Sequence, residues 1–328
     1  MRYLSKSQIA FLSSFLLIFF SAGSVFSQET ETAKFPSRPV TLIVPFSAGG
    51  STDLAIRLLA KETEKHLGQS IVVLNKPGGG GSVGVASVAA AKPDGYTIGH
   101  LPGGAPLFIM PFLEKLPYHP LKDLRCIMQL VDLNFAVIVK GGSPFKRFKD
   151  LIDYARQNPK KLTYGTNAPN SISNLITEQI AKKEGVQFTH IPFKSSPEYQ
   201  TAVLGGHVQF AVGDFNFSMV EAGEMRILLF LGEKRPDEYP QVQVMRELGY
   251  DLRCPVILGI FGPKGLPDEI ARKLEDALTK ATKEPAFIKG MKDLRLTILY
   301  RNSKELTDYV ASNVELFHRI LKDMNLIK

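Results

Sequence analysis

The sequence predicts an α/β protein of two lobes joined by two crossover strands, with a ligand cleft between them. Three observations carry that expectation. Apolar runs of strand length alternate with amphipathic helical stretches along the chain, the pattern of parallel-sheet α/β domains. Glycine-rich turns, "VPFSAGGSTD" from Val44 and "NKPGGGGSVG" from Asn75, directly follow apolar runs. Two further runs, near residues 124–135 and 250–262, are placed to carry the chain from one lobe to the other and back, and a long helical tail follows the second.

The elements follow in order. Val40 to Val44 is a strand ending in a glycine loop, and "STDLAIRLLAKETEKHLG" continues it as a helix. Asp53 and Arg57 stand four apart on that helix, a favourable acid-before-base pair, and Asp53 complements the helix N-terminus. "SIVVLNKPGGGG" repeats the strand-then-glycine form, and a short small-residue helix after it stops at Pro93. "YTIGHLP" is the third strand. "NFAVIVKGGSP", "LTYGT", "FTHIPF", "HVQFAVGD" and "MRILLFL" are strands of the middle lobe. They alternate with the helices "FKRFKDLIDYARQ", "SISNLITEQIAKKEG" and "SPEYQTAVLGG". "DEIARKLEDALTKATKE" and "SKELTDYVASNVELFHRILKDMN" form the helical tail that closes over the first sheet. The expected division is 28–130 with 254–328 for the first lobe and 131–253 for the second.

Residues 1–27 have the form of a signal peptide. Arg2 and Lys6 are the basic start, Ile9 to Phe20 is the apolar segment, and cleavage is expected after Ser27. A membrane-spanning helix needs about 20 apolar residues, so an exported, periplasmic mature protein is predicted. The formal net charge is +8, of which Arg2 and Lys6 supply two; such a balance serves solubility first and also suits anionic ligands. No block of lysine and arginine interleaved with aromatics is present, so nucleic acid is not an expected partner. Cys126 and Cys254 lie in two strand-like contexts. One disulfide and two buried free thiols both suit an oxidising compartment.

Two glycine patterns suggest chemistry that their surroundings do not support. Gly79, Gly81 and Gly84 spell G-x-G-x-x-G, yet the helix is short and no acid follows at the next strand end, as a dinucleotide site requires. Gly80, Ser82 and Gly84 spell the G-x-S-x-G of a nucleophile elbow, with Asp214 and His318 in hydrolase order. There, however, "NKPGGG" separates strand from serine, and His318 is embedded in an amphipathic helix. An exported serine hydrolase using Ser82 remains the rival from another class. The six histidines are scattered without metal-ligand spacing, and neither cofactor nor metal is expected. Binding is left. Ser47 to Thr52, Gly78 to Ser82 and Thr166 to Ser171 put main-chain N–H groups and small hydroxyls at helix N-termini, where a carboxylate accepts several hydrogen bonds.

The landmarks "RPVTLIVPFSAGGSTDLAIR", "VVLNKPGGGGSVGVASVAAAKPDGYTI", "LTYGT", "HIPFKSSPEYQTAVLGGHVQF" and "GIFGPKGLPDEI" resemble the extracytoplasmic substrate-binding proteins of tripartite tricarboxylate transporters, the Bug-type receptors. The resemblance covers nearly the whole mature chain. It implies a type II periplasmic-binding-protein fold and a ligand carboxylate gripped mainly by main-chain amides and ordered waters. It places Phe46, Ser47, Ala48, Gly49, Gly50, Thr52 and Asp53 in the first ligand loop and Gly80, Gly81 and Ser82 in the glycine turn bordering the cleft. On the second lobe it places Thr166, Asn167, Ala168, Asn170 and Ser171 in the facing turn. Asp214 stands at the distal end, either receiving an amino or hydroxyl group or capping a strand end. The family usually has glycines and serines where Ala168, Pro169 and Asn170 stand, a histidine at Asn174, and glycine at Ser195 and Ser196. The resemblance further implies a non-enzymatic monomer that delivers a small organic anion to integral-membrane transporter subunits. A receptor feeding a sensor system would share the same binding physics.

Overall fold

The computed structural model describes residues 35–328; the signal-peptide expectation lies outside the described residues. Two mixed sheets organise the chain. The first contains β1 (Val40–Val44), β2 (Ile71–Asn75), β3 (Thr97–Leu101), β4 (Leu124–Asp132), β10 (Ile257–Pro263) and β11 (Thr297–Arg301), in the order β11-β4-β10-β3-β1-β2. The second contains β5 (Ala136–Lys140), β6 (Thr163–Thr166), β7 (Thr189–Pro192), β8 (Phe210–Gly213) and β9 (Met225–Phe230), in the order β7-β6-β8-β5-β9. The central strands are continuous apolar runs because helices cover both faces; every residue of β10 is buried.

Helices α1 (Ser51–Leu67), α2 (Ser82–Ala89), α3 (Ala105–Phe108) and α4 (Met110–Leu113) follow the first strands. Helix α1 turns Ala55, Ile56, Leu59 and Ala60 inward and stops at Gly68, whose φ of 76° is the left-handed value that ends helices. In the second lobe lie α5 (Phe148–Gln157), α6 (Ile172–Glu184), α7 (Ser196–Gly205) and α8 (Phe217–Glu221). The tail is α9 (Asp268–Ala281), α10 (Pro285–Asp293) and α11 (Ser303–Asp323). Helix α11 begins with a reciprocal cap. Asn302 Oδ1 accepts the Glu305 N–H, and the Glu305 carboxylate accepts the Asn302 N–H, both at 2.9 Å. One apolar cluster runs through both lobes, from Leu107 and Phe108 to Leu175 and Ile176, with Phe317 of α11 stacked on Phe108 at 6.0 Å between ring centres. No described helix is long and apolar enough to cross a membrane.

The lobes are joined at the centre of the first sheet. Strands β4 and β10 pair antiparallel from Leu124–Pro263 to Asp132–Ile257. Only Leu133, Asn134 and Phe135 separate β4 from β5, and the chain returns through residues 231–256. Two backbone bonds tie the passages together: Leu133 N–H to Val256 O at 2.9 Å and Leu231 N–H to Phe135 O at 2.8 Å.

Of the two readings left open for the cysteines, this register selects the free thiols. Cys126 faces Phe261 well inside the ladder, whereas Cys254 precedes β10, beyond the Asp132 end. Six residues of strand, at about 3.3 Å each, hold them roughly 20 Å apart along the sheet. Both are buried free thiols. Burial pushes both thiol pKa values up, that of Cys126 to about 11.

Asp132 ends β4 at this junction and is only 3 % exposed. Its Oδ2 accepts the Glu233 N–H at 3.0 Å, so it binds the second passage. Burial raises its pKa to about 7 against the hydrogen bonds from the Glu233 and Lys234 backbone and the charge of Arg301, and the nearby Glu233 carboxylate adds to the rise. An acid whose folded pKa exceeds its unfolded value holds a proton that the unfolded chain releases. Stability therefore falls as pH rises from about 4 to about 7. Melting temperature against pH should show this decline, and Asp132→Asn should flatten it; parallel curves for the two proteins would contradict the assignment.

Candidate ligand-binding site

Strand directions set the loops of the two lobes face to face. Strands β1, β2 and β3 are parallel to one another, and β4 runs with them because both β3 and β4 oppose β10. The loops after β1, β2 and β3 therefore leave the first sheet at the end where β4 departs for the second lobe. In the second sheet β6, β7 and β8 are parallel. Ala136, the first residue of β5, pairs with Gly213, the last of β8. The loops after β6 and β8 thus emerge at the end nearest the crossing. Open α/β sheets bind ligands at such carboxyl ends. The two sets meet: a Cβ at Gly104, after β3, would lie 3.9 Å from Ile172 Cδ1 at the start of α6.

In the first loop, Phe46, Ser47, Ala48, Gly49 and Gly50 are all exposed. Gly49 has φ +89°, which a side chain would strain. Ser51, Thr52 and Asp53 carry the first-turn N–H groups of α1, which have no acceptor within the helix and no side-chain cap. Asp53 turns its carboxylate inward. Its carboxylate is 1 % exposed and receives the Gly49 N–H at 2.8 Å, Arg57 Nε at 3.0 Å and Asn75 Nδ2 at 2.8 Å. Burial pushes the Asp53 pKa up, but the hydrogen bonds from Arg57, Gly49 and Asn75 together hold it below the usual value. Asn75 also donates to Phe46 O at 3.0 Å, so it closes the loop from the neighbouring strand.

The glycine turn approaches from the side. Gly80 (φ +61°) is exposed, whereas Gly81 (φ +106°) is buried, with Phe46 and Pro106 within 3.6 Å of where its Cβ would stand. Ser82 is buried at the start of α2. Beneath Phe46 lies His100, 1 % exposed and held neutral by burial, with its pKa lowered to about 4.

On the second lobe the turn is built by side chains. Thr166 Oγ1 donates its only hydrogen to Ala168 O at 2.9 Å, so His190 Nε2, at 2.8 Å, is the donor to the same oxygen. Asn170 adopts φ +56°, and its N–H binds Asn174 Oδ1 at 3.0 Å. Ser171 caps α6 by accepting the Asn174 N–H at 3.3 Å. Asn174 Nδ2 reaches Tyr164 OH at 2.7 Å, and that hydroxyl donates to Glu178 at 2.6 Å. Asn167 is exposed beside this frame. Asp214 is exposed after β8; its Oδ1 accepts Ser196 Oγ at 2.5 Å, and Tyr199 OH stands 2.5 Å from its main-chain oxygen and 3.0 Å from Oδ1. The expected departures Ser196 and Asn174 are therefore structural members of this lobe's loops.

The hydrolase constellation does not assemble. Asp214 belongs to the Ser196–Tyr199 group on the second lobe, and the His318 ring packs on Phe112 at 5.1 Å. Among the described residues no hydrogen bond joins Ser82 to either, and no cluster of His, Cys, Asp or Glu is placed to hold a metal ion. A cavity of about 470 Å³ lies on the opposite flank of the β4–β10 pair, between α8, residues 234–238, α10 and the start of β11. None of the loop amides lines it.

The family model described as "Tripartite tricarboxylate transporter family receptor" matches residues 55–326. The chain belongs to that receptor family. It is similar to the "UPF0065 protein in gbd 5'region" of Cupriavidus necator, 36 % identical over 301 residues, 92 % of this chain and 91 % of the other. A TctC solute-binding protein from Polaromonas, solved without ligand, superposes with TM-score 0.80 at 26 % identity over 88 % of this chain and 99 % of that one. A protein from R. palustris solved with adipate superposes with TM-score 0.71 at 27 % identity over 88 % and 97 %. As a receptor of this family the chain is a solute-binding protein of type II fold.

The sequence pattern places Asp53 among ligand contacts and does not single out Asn75, His190 or Tyr199. Asn75 carries one signal, its position at a strand end immediately before a glycine turn. Asn174 holds three segments of this receptor's second-lobe turn. Asn174→Ala should lower unfolding stability by about 1–3 kcal/mol, because the Asn170 N–H and Tyr164 OH lose a buried partner. Urea denaturation would measure this, and an unchanged midpoint would show that water replaces the carboxamide.

Proposed function

We propose that this receptor captures a small carboxylate between its lobes in the periplasm and hands it to membrane subunits of a tripartite tricarboxylate-type transporter. The observation that carries the proposal is the uncapped start of α1, its free amides beside left-handed Gly49, opposite a second turn at the start of α6. Each end has a partial positive charge from aligned peptide dipoles. An anion that reaches both draws the lobes together about the short β4–β5 link. Binding then selects the closed form, because only that form offers both sets of donors at once. His100 is neutral and Arg57 is committed to Asp53, so the grip is main-chain in character. The adipate held by the R. palustris relative supports a dicarboxylate of similar size as the ligand class.

A thermal-shift screen of mono-, di- and tricarboxylates tests the proposal. A ligand at about 100 times its Kd should add about 2.7 kcal/mol of stability, read as a clear rise in melting temperature. Ser82→Ala should keep that rise and no product should appear. No shift with any carboxylate, or a hydrolysis product lost with Ser82, would overturn the proposal.

A further inference from the structure

Asp53 poses an electrostatic difficulty for an anion site. A buried carboxylate occupies the first turn of the helix whose free amides await a second carboxylate, and like charges a few ångströms apart repel. Two side chains behind the loop resolve it. Arg57, one turn along α1, donates Nε to Asp53 Oδ2 at 3.0 Å and reaches Asn75 Oδ1 at 2.7 Å. Asn75, the last residue of β2, spends its Nδ2 hydrogens on Asp53 Oδ1 at 2.8 Å and Phe46 O at 3.0 Å. Asp53 in turn takes the Gly49 N–H at 2.8 Å. An arginine four residues after an aspartate is commonly no more than a helix-surface pair. Here the acid is buried, and the network ties a second strand and the loop backbone into the same cluster.

We propose that Arg57 and Asn75 are the positioning residues of the anion site: Arg57 cancels the Asp53 charge so that the turn accepts a carboxylate, and Asn75 fixes Phe46–Gly50 in the shape that presents its amides. The charge-balancing role rests on the function proposed above; the loop-holding role stands on the geometry alone. Neither residue touches the ligand. Removing Arg57 leaves an uncompensated negative charge under the site, and removing Asp53 as well takes that charge away.

The experiment uses the native protein with Arg57→Gln, Asp53→Asn, the double variant and Asn75→Ala. Affinity for adipate, or for the carboxylate giving the largest thermal shift, is measured by calorimetry, and exchange of the Gly49 amide is followed without ligand. Arg57→Gln should weaken binding on the order of tenfold in the native background and leave it nearly unchanged in the Asp53→Asn background. Asn75→Ala should speed Gly49 exchange on the order of tenfold, even where the melting temperature barely moves. Equal losses from Arg57→Gln in both backgrounds would overturn charge balancing, and unchanged Gly49 exchange would overturn loop holding. If the native protein binds no carboxylate, the proposed function fails. The Asp53 carboxyl titration followed by NMR then decides the arginine's role: a higher midpoint in Arg57→Gln supports charge balancing, and an unmoved one overturns it.

Discussion

The antiparallel pairing of β4 with β10 is the constraint on which the rest of the molecule depends. These neighbouring strands of the first sheet both lead to the second lobe, so a single ladder anchors departure and return. Because only three residues lie between β4 and β5, the second lobe has little freedom to drift. Its rotation is confined to a narrow waist sealed by the Leu133–Val256 and Leu231–Phe135 bonds. Strand direction then does the remaining work. With β4 parallel to β1 and β3, every ligand-loop candidate of the first lobe opens towards the waist, and the β5–β8 register turns the second lobe to face it.

At the mouth formed in this way, the proposed recognition of an anion falls to the main chain. A lysine or arginine aimed into the cleft would bind many anions and would cost desolvation each time the lobes closed. Helix-terminal amides are directional and cannot lose their charge to a pH change. They need a rigid frame, and the frame is polar on both lobes. In the first it is Asp53 with Asn75 and Arg57; in the second it is Asn174 with Tyr164 and Glu178, and Thr166 with His190. Each frame takes one loop amide, Gly49 in the first lobe and Asn170 in the second, and leaves the first-turn amides of α1 without a side-chain partner.

Much of the fold was legible in the sequence because it rests on local patterns. Alternating strands and helices, glycine turns at the ends of β1 and β2, and the helical tail all depend on residues close in the chain. The glycine loop after β1 and the turn before α6 were legible for the same reason. The frames were not. Asn75 reaches Phe46 and Asp53 across 29 and 22 residues, and His190 meets Thr166 across 24, distances at which spacing in the sequence has no period to reveal. The burial of the Asp53 side chain was not legible, because its helical position indicates nearness to the N-terminal amides but not the direction of its side chain. The cysteines show the same limit: two strand-like contexts do not specify a register, and the register separates Cys126 from Cys254.

A crystal structure of the receptor with its tightest carboxylate would test the two-lobe grip most directly. The expected result is one carboxylate bound between the lobes, its oxygens within hydrogen-bond distance of N–H groups from Ser47–Asp53 and of N–H groups from Asn167–Ser173 together. A ligand touching only one lobe, or seated in the cavity between α8 and α10, would contradict it.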